Sequence, residues 1–197
     1  MGLKTWLSWS SGKDSYASLR KIWSDGNYEV ECLFTVVDAE KDRIPMHAVS
    51  VDLLKNQVKA LGIQHRVVEL SGREDDTEFL ALLSSARDNG VNCFVFGDLY
   101  LEEFRRYREQ KMVDTGIGVV FPIWDQPPED LVLKAINDGM RAIITSIDLA
   151  KLPASFLGSE LSVDLVKELV ELGCDPCGEN GEYHSFVFDG LDFPRFR

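Results

Sequence analysis

Short apolar runs of strand length recur along the first 125 residues. They occupy residues 3–9, 30–37, 63–70, 92–96 and 117–123. Runs of this length bounded by polar, Gly or Pro residues are typical of buried strands. The pattern therefore predicts five strands in this part of the chain.

Apolar residues at helical spacing fill the segments between these runs. We predict one helix over residues 15–24, ending at Gly26, and another over residues 99–112. Two further helices are indicated by the stripes Val51, Leu54, Val58 and Leu61, and Phe79, Leu82, Leu83 and Ala86. Strands that alternate with helices need crossover connections. The sequence therefore predicts a doubly wound, mainly parallel five-stranded α/β sheet of Rossmann-like type.

Residues 124–128, with the sequence Trp-Asp-Gln-Pro-Pro, interrupt this alternation. We place a domain boundary here, between residues 1–125 and residues 126–197. The second part is too short for a large core, so we expect a small C-terminal α+β domain. Its predicted elements are a helix at 129–137, a strand at 141–147, a helix at 163–172 and a strand at 185–188.

Charge and composition restrict the possible partners. The chain has 33 acidic residues against 21 Lys and Arg, a net charge of −12. Because nucleic-acid binding depends on cations that neutralise phosphates, we expect no nucleic-acid partner. The longest stretch without a charged residue, 115–124, is about half the length of a membrane-spanning helix. With four cysteines, too few for a disulfide scaffold, we expect a cytoplasmic protein without a membrane segment.

Small polar residues lie between the first strand and the first helix. These are Ser10, Ser11, Gly12, Lys13, Asp14 and Ser15. A helix N-terminus offers unpaired N–H groups and the positive end of the helix dipole, so such a turn can bind phosphates. A polar strand-to-helix turn in which Ser15 only begins the helix is the alternative. The segment fits neither a Walker A loop nor a dinucleotide fingerprint.

This segment resembles the PP-loop of ATP pyrophosphatases, whose pattern is Ser-Gly-Gly-x-Asp-Ser. Ser11 stands where the family pattern has its first glycine. The resemblance implies that Ser10, Ser11, Gly12, Lys13 and Ser15 bind the phosphates of ATP. It also implies an adenine nucleotide alpha hydrolase type of fold. An acidic residue beside phosphates needs a cation, so Asp14 is the candidate ligand for Mg²⁺, or else it stabilises the loop.

A second cluster of polar residues lies near the C-terminal end of the chain. Residues 174–186 read Cys-Asp-Pro-Cys-Gly-Glu-Asn-Gly-Glu-Tyr-His-Ser-Phe. Together with the first loop, this segment resembles the diphthine–ammonia ligase family. Weaker points of resemblance are Met46 with His47, Gly97 with Asp98, residues 105–109 and residues 122–124.

The resemblance implies an enzyme that uses ATP and ammonium to amidate a carboxylate, which in that family is diphthine of elongation factor 2. The expected catalytic residues are Lys13, Asp14, Glu179, Glu182 and His184. The expected substrate-binding residues are Gly178, Glu179, Asn180, Gly181, Glu182, Tyr183 and Trp124. Tyr183 and Trp124 have aromatic faces that suit a quaternary ammonium group. The alternative for Glu179 and Glu182 is a solvated acidic loop.

Two further pairs of residues are candidates for the nucleotide site. Gly97 and Asp98 follow the fourth strand at the edge of the sheet where α/β folds bind ligands. The alternative to a binding role for Asp98 is that it forms the N-cap of the following helix. Thr35 and Val36 end the second strand, where members of the resembled fold receive adenine. The arginines of residues 105–109 fit a solvent-exposed helix face, and the alternative is that one of them reaches a phosphate.

Two other functions compete with the amide ligase. One is a PP-loop tRNA sulfur transferase, in which Cys174 and Cys177 would be redox-active. The other is a non-catalytic ATP-binding module of the universal-stress type, which leaves the segment 174–186 unexplained. A single C-x-x-C pair is too little for a structural zinc site, so we expect these cysteines to shape a turn.

Overall fold

The computed structural model describes residues 2–38, 40–70 and 77–190. The strands are β1 (Leu3–Ser8), β2 (Tyr28–Asp38), β3 (Gln64–Leu70), β4 (Cys93–Val95), β5 (Gly118–Val120), β6 (Arg141–Ile147) and β7 (Tyr183–Asp189). The helices are α1 (Lys13–Asp25), α2 (Val51–Leu61), α3 (Thr77–Asp88), α4 (Glu102–Met112), α5 (Pro128–Asn137) and α6 (Val163–Glu171).

Strands β1 to β5 form one parallel sheet in the order β3-β2-β1-β4-β5. The chain first adds strands on one side of β1 and then crosses to β4 on the other side. In sheets with this order, the gap between the carboxyl ends of β1 and β4 is where ligands bind. The prediction of a doubly wound parallel α/β sheet is confirmed.

The two faces of the sheet are covered by different helices. Trp6 and Phe94 point to one face, where they pack with α3 and with Met112 at the end of α4. Leu7 and Val95 point to the opposite face and pack with α1 and α2. Because successive side chains in a strand alternate in direction, strands buried on both faces are apolar at nearly every position. This explains the continuous apolar runs in the sequence.

Local signals determine where the helices begin and end. The Ser50 side chain accepts a hydrogen bond from the Leu53 amide at 3.3 Å and so caps the first turn of α2. Gly62 ends α2 with φ of 63°, a left-handed conformation that glycine adopts without a steric penalty. Gly26 ends α1 in the same way.

The C-terminal part contains α5, β6, a single 3₁₀ turn at Ala154–Phe156, α6 and β7. Strands β6 and β7 form a separate two-stranded antiparallel sheet. Buried residues of this part, including Ala142 and Val187, belong to the same apolar cluster as α1 and α2. The predicted small α+β part is therefore present. Our boundary at residue 125 stays a proposal, and residues 191–197 of the second part lie outside the described residues.

Helix α4 begins later than the sequence pattern indicates. The pattern predicts a helix from residue 99, whereas α4 starts at Glu102. The amide of Leu99 donates instead to the side chain of Glu179, 3.0 Å away. Residues 99–101 therefore form a connection held by the C-terminal part. No helix among the described residues is long and apolar enough to cross a membrane.

The neighbouring leucines of α2 provide a test of the core. Leu54 is fully buried, whereas Leu53 is 50% exposed. We expect Leu54→Ala to lower the free energy of unfolding by about 2–5 kcal/mol, because it leaves a cavity between α2 and the sheet. Leu53→Ala should change it by less than about 1 kcal/mol. Urea denaturation of both variants measures the difference, and equal losses would contradict the packing described here.

Candidate functional site

The loop that follows β1 leads into the first turn of α1. This turn lies at the gap between the carboxyl ends of β1 and β4. The first amides of a helix have no carbonyl partner one turn earlier. Among the described residues, none accepts a hydrogen bond from the amides of Asp14 and Ser15. Both amides therefore remain available to an anion, which the helix dipole also favours.

Ser11 adopts the left-handed conformation that the family pattern assigns to glycine. Its φ is 67°, and the residue is fully buried. Backbone strain of this kind costs about 1–3 kcal/mol in a residue with a side chain and persists only where the surroundings hold it. Here the Ser11 carbonyl accepts two hydrogen bonds, from the Val187 amide at 2.9 Å and from Gln57 Nε2 at 3.1 Å. The substitution of glycine by serine is therefore compatible with the turn.

Gln57 is a buried residue that the sequence analysis missed. Its Oε1 accepts a hydrogen bond from Trp9 Nε1 at 2.7 Å, while its Nε2 donates to the carbonyls of Ser11 and Val187. One side chain thus joins β1, the loop and β7. The signal was present in the sequence, because Gln57 falls on the apolar stripe of α2 beside Leu54 and Leu61.

Gly12 lies against a histidine from the connection between β2 and α2. A Cβ atom at Gly12 would lie 2.7 Å from His47 Cε1 and 3.0 Å from the Ser185 carbonyl oxygen. The close approach therefore requires glycine here. His47 Nδ1 is 3.1 Å from the same carbonyl, and the His47 and His184 ring centroids are 4.8 Å apart.

Burial gives both histidines a low pKa. It lowers the pKa of His47 to about 4, and burial together with His47 lowers that of His184 to about 4. Both imidazoles are therefore neutral near pH 7. The structure brings the predicted residue His184 to the loop, and His47, which the sequence did not assign to the site, lies beside it.

Lys13 is buried at the start of α1. Its Nζ lies 2.9 Å from Asp14 Oδ2 and 4.9 Å from the centre of the Tyr183 ring. Burial is the largest single effect and would lower the pKa of Lys13, but the Asp14 carboxylate, together with Tyr183 and Cys177, raises this pKa above its usual range. The ammonium group is therefore charged, and it is held between the Asp14 carboxylate and the Tyr183 ring.

The serines of the loop bond mainly to the loop itself. Ser15 Oγ donates to the Gly12 carbonyl at 2.9 Å, and the Gly12 amide donates to Ser10 Oγ at 3.4 Å. The Lys13 amide donates to Ser185 Oγ at 3.3 Å, so β7 contributes to the turn as well. Within the described residues Ser11 Oγ has no hydrogen-bond partner although it is buried.

A cavity of about 270 Å³ adjoins this loop at the carboxyl ends of β1, β2 and β4. Ligand cavities commonly measure about 300–1,000 Å³, so this one suits a small ligand. Thr35 and Val36 line it at the end of β2, as the resemblance implied, and Ser10 and His47 line it near the loop. Thr35 Oγ1 donates to the Trp9 carbonyl at 2.6 Å, which connects the cavity wall to β1.

Gly97 and Asp98 lie between the end of β4 and the first turn of α1. A Cβ atom at Gly97 would lie 3.2 Å from the backbone of Asp14, so glycine allows the close contact. Asp98 Oδ2 faces Arg108 Nε at 3.7 Å, and burial raises the pKa of Asp98. The alternative of Asp98 as helix N-cap is wrong, because α4 begins at Glu102 with Leu101 at its N-cap.

Glu179 comes from the C-terminal loop to the same end of the sheet. Its Oε1 accepts the hydrogen bond from the Leu99 amide. Burial raises the pKa of Glu179 to about 7, with a further increase from the Asp14 carboxylate. A carboxyl group with this pKa can accept or release a proton near neutral pH. The alternative of a solvated acidic loop does not describe this residue.

A hydrogen-bond network shapes the rest of this loop. Asn180 Nδ2 donates to the Tyr100 hydroxyl at 3.0 Å, and that hydroxyl donates to Asp175 Oδ2 at 2.5 Å.

Glu182 of the same loop is buried. Its Oε1 accepts from the Asp175 amide at 3.3 Å, while Oε2 has no partner within the described residues. Gly178 has φ of 66° and a Cβ there would lie 2.6 Å from the Tyr183 carbonyl oxygen.

The two predicted aromatic residues occupy different places. Tyr183 is buried, with its hydroxyl donating to the Pro176 carbonyl and its ring facing Lys13. Trp124 lies beside α4, where the Arg105 guanidinium is 4.7 Å from its ring centre. Trp124 does not line the cavity of 270 Å³. Gly181, by contrast, contributes only a turn, in which its amide donates to the Gly178 carbonyl.

The resemblance implies a magnesium ion, and one atom of the loop fits it. Asp14 Oδ1 is buried and has no partner within the described residues. Mg²⁺ is commonly held by one or two carboxylates together with phosphate oxygens and water. Over the ranges 2–38, 40–70 and 77–190, no group of three or more acidic, His or Cys side chains is suited to a metal. Asp14 Oδ1, together with the oxygens of a bound phosphate, would fit Mg²⁺.

The sheet order and the small polar turn that leads into α1 define the class: an α/β protein of the PP-loop type. Comparison with protein families then gives the family. Residues 3–118 match the diphthamide synthase N-terminal domain, and residues 127–197 match the diphthamide synthase C-terminal domain. The chain belongs to the diphthamide synthase family, which suggests an enzyme of the PP-loop ATP pyrophosphatase type that uses ATP. A comparison with curated proteins gives no match.

Gln57 provides a test of how the loop is held. We expect Gln57→Ala to lower the free energy of unfolding by about 1–3 kcal/mol, because the buried Trp9 Nε1 loses its partner. The exposed neighbour Asn56 is the matched control, and Asn56→Ala should cost less than about 0.5 kcal/mol. Thermal and urea unfolding measure both variants. A loss no larger in Gln57→Ala than in Asn56→Ala would show that Gln57 does not hold the loop.

Proposed function

We propose that this protein is an ATP-dependent carboxylate–ammonia ligase of the diphthine–ammonia ligase type, which forms AMP and pyrophosphate. The observation that carries the proposal is the continuity of the two binding places. Ser10 lines the cavity of 270 Å³ and also belongs to the turn that leads to the free amides of α1. One nucleotide can therefore place its nucleoside in the cavity and its terminal phosphates at the helix.

The nucleotide would be bound mainly by backbone and by small residues. Thr35 and Val36 would receive the adenine at the end of β2. The amides of Asp14 and Ser15, with the ammonium group of Lys13, would bind the β- and γ-phosphates. Because Lys13 is buried and already fixed by Asp14, little side-chain entropy is lost when the phosphates bind.

The first chemical step would activate the acceptor carboxylate. A carboxylate oxygen attacks the α-phosphorus of ATP, a new O–P bond forms, and the bond from this phosphorus to the β-phosphate oxygen breaks. Pyrophosphate leaves and an acyl-adenylate remains. The amides of α1 and Lys13 would lie where the leaving pyrophosphate gains charge, and such prearranged stabilisation is usually the largest catalytic term.

Mg²⁺ bound by Asp14 and the phosphates would neutralise part of the phosphate charge. Without a cation, Asp14 would oppose the binding of ATP through like-charge repulsion. Its partner Lys13 reduces this repulsion, and its free Oδ1 remains available to the metal ion.

The second step would transfer ammonia to the activated acyl group. Ammonium must lose a proton before its nitrogen can attack the acyl carbon, after which AMP leaves and the amide is formed. Glu179, with its raised pKa and its position beside Leu99 and Asp14, would accept that proton. His184 would contribute as a neutral imidazole at the phosphate end of the site, not as a cation.

The acceptor we propose is the carboxylate of diphthine on elongation factor 2, which also carries a trimethylammonium group. The net charge of −12 favours the approach of a cationic group. In the C-terminal loop, Glu182 retains a buried oxygen that has no partner among the described residues, and Asn180 and Glu179 lie at the same end of the sheet. Each predicted aromatic ring already faces a cation, Tyr183 at Lys13 and Trp124 at Arg105, so the carboxylates of this loop are the better candidates to bind the trimethylammonium group.

The competing sulfur transferase finds no support in the cysteines. Cys177 is buried and donates from its thiol to the Pro128 carbonyl, and burial raises its pKa. A redox-active thiol needs the opposite, a lowered pKa and an accessible position. The non-catalytic nucleotide-binding module leaves the raised pKa of Glu179 without a role.

The decisive experiment identifies the nucleotide product. The protein is incubated with ATP, Mg²⁺, ammonium and elongation factor 2 that carries diphthine. We expect AMP and pyrophosphate together with the amidated residue, which mass spectrometry detects. ADP with inorganic phosphate would place the reaction in a kinase-like class and contradict the proposal. ATP binding without any turnover would favour the non-catalytic module.

Lys13 and Lys21 form a matched pair on α1. We expect Lys13→Gln to lower kcat by about 100- to 1,000-fold, because the leaving pyrophosphate loses a prearranged positive charge. Lys21 is exposed and lies two turns further along the helix, so Lys21→Gln should keep the wild-type rate. Release of pyrophosphate measures both. Equal rates in the two variants would exclude Lys13 from the reaction.

The pKa of Glu179 predicts the pH dependence of the amide step. As a base, Glu179 must be deprotonated, so kcat at saturating ammonium should rise as the pH increases through about 7. We expect Glu179→Gln to lower kcat by about 100-fold or more and to remove this rise. The rate of amide formation between pH 5.5 and 8.5, about the range in which such a group titrates, checks both points. A rise that persists unchanged in Glu179→Gln would assign the proton transfer to another group.

A further inference from the structure

The arginines of α4 do not all face solvent. Arg105 Nε pairs with Glu109 at 2.9 Å, and Arg106 Nε lies 3.6 Å from Glu102, both along the helix surface. Arg108 has no such partner on its own helix. Its side chain is one-third exposed and lines the cavity of 270 Å³. Arg105 is exposed to the same extent but lies over the Phe121 and Trp124 rings, so Arg108 is the arginine of α4 that lines the cavity.

Two contacts hold the Arg108 guanidinium against the end of β4. Its centre lies 4.9 Å from the centre of the Phe96 ring, and its Nε faces Asp98 Oδ2 at 3.7 Å. That distance exceeds a hydrogen bond, and both atoms are buried without a hydrogen-bond partner among the described residues. The guanidinium is thus oriented by the Phe96 ring, by the Tyr107 ring 5.9 Å from its centre and by the Asp98 carboxylate, and its side chain remains one-third exposed where it lines the cavity.

The position of Arg108 lies between the two proposed parts of the nucleotide site. On one side the residue lines the nucleoside cavity. On the other side its partner Asp98 follows Gly97, which contacts the backbone of Asp14 in the first turn of α1. A nucleotide with its base in the cavity and its terminal phosphates at α1 has its α-phosphate between these places.

We propose that Arg108 binds the α-phosphate of the nucleotide and that Asp98 positions it. This inference rests on the proposed function, because it assumes that ATP occupies the cavity. An arginine suits the role, since its planar guanidinium can donate two parallel hydrogen bonds to phosphate oxygens. The α-phosphate is the one that stays with the nucleoside after pyrophosphate leaves. Arg108 therefore binds ATP, the acyl-adenylate and AMP alike.

The test compares ligands that differ by this one phosphate. Binding of AMP and of adenosine is measured by calorimetry for the wild-type chain, for Arg108→Gln and for the control Arg106→Gln. We expect Arg108→Gln to raise the Kd for AMP by about 10- to 100-fold, because the variant loses a charge-assisted hydrogen bond whose free energy corresponds to a change of this size. Adenosine binding should stay within about twofold of the wild type. Arg106→Gln should leave both affinities unchanged, because Arg106 is largely exposed.

Each other outcome has a definite meaning. Equal weakening of AMP and adenosine would show that Arg108 contacts the nucleoside, and unchanged AMP binding would show that it contacts no phosphate; both overturn the inference. A wild-type chain that binds neither AMP nor ATP would overturn the proposed function itself. Thermal unfolding of each variant establishes that the fold is retained, which the partial exposure of Arg108 favours.

The role of Asp98 is tested by a double-mutant cycle. Asp98→Asn should weaken AMP binding when Arg108 is present, because the guanidinium loses its orienting charge. In the Arg108→Gln background the same change should have no further effect on AMP binding. Additive losses in the two backgrounds would mean that Asp98 acts independently of Arg108 and would overturn the positioning role.

Discussion

The candidate site depends on one peptide carbonyl, that of Ser11. This carbonyl accepts the amide of Val187 from β7 and the side-chain amide of Gln57 from α2. The two bonds hold a strained left-handed residue and so aim the following amides of α1 outwards. Because one of the two donors comes from the C-terminal part, the phosphate-binding turn and the second sheet form a single unit.

Electrostatics at this end of the sheet follow from the same close packing. Lys13 and Asp14 form an ion pair at the head of α1, while burial shifts the pKa of Glu179 and Asp98 upward. Burial lowers the pKa of His47 and His184 beside the loop, so both histidines remain neutral. A phosphate ligand would therefore meet the Lys13–Asp14 ion pair and neutral histidines, whereas an incoming ammonium ion would meet carboxyl groups. The ammonium group of Lys13 and the carboxyl group of Glu179 would thus serve different steps of the proposed reaction.

Residues missed by the sequence analysis are those whose roles depend on distant partners. Gln57 belongs to an ordinary amphipathic helix. Its only signal in the sequence is that a polar residue stands on the apolar stripe of that helix. Arg108 shares a helix with two arginines that form surface pairs, and nothing in the local spacing separates it from them. His47 was only a weaker point of the family resemblance, because its contacts, Gly12 and Ser185, lie 35 and 138 positions away along the chain.

Local information in the sequence determined the parallel α/β sheet, the small polar turn at residues 10–15 and the polar loop at 174–186. Strand and helix periodicity, glycine positions and helix ends are local properties. Only the tertiary structure decided that the turn and the loop lie close to each other. It places β7 beside the turn, gives Ser11 a conformation that serine rarely adopts, and brings Glu179 to the start of the segment before α4. Contacts such as that between Leu99 and Glu179, 80 positions apart, arise when the core packs, and that packing leaves no local pattern in the sequence.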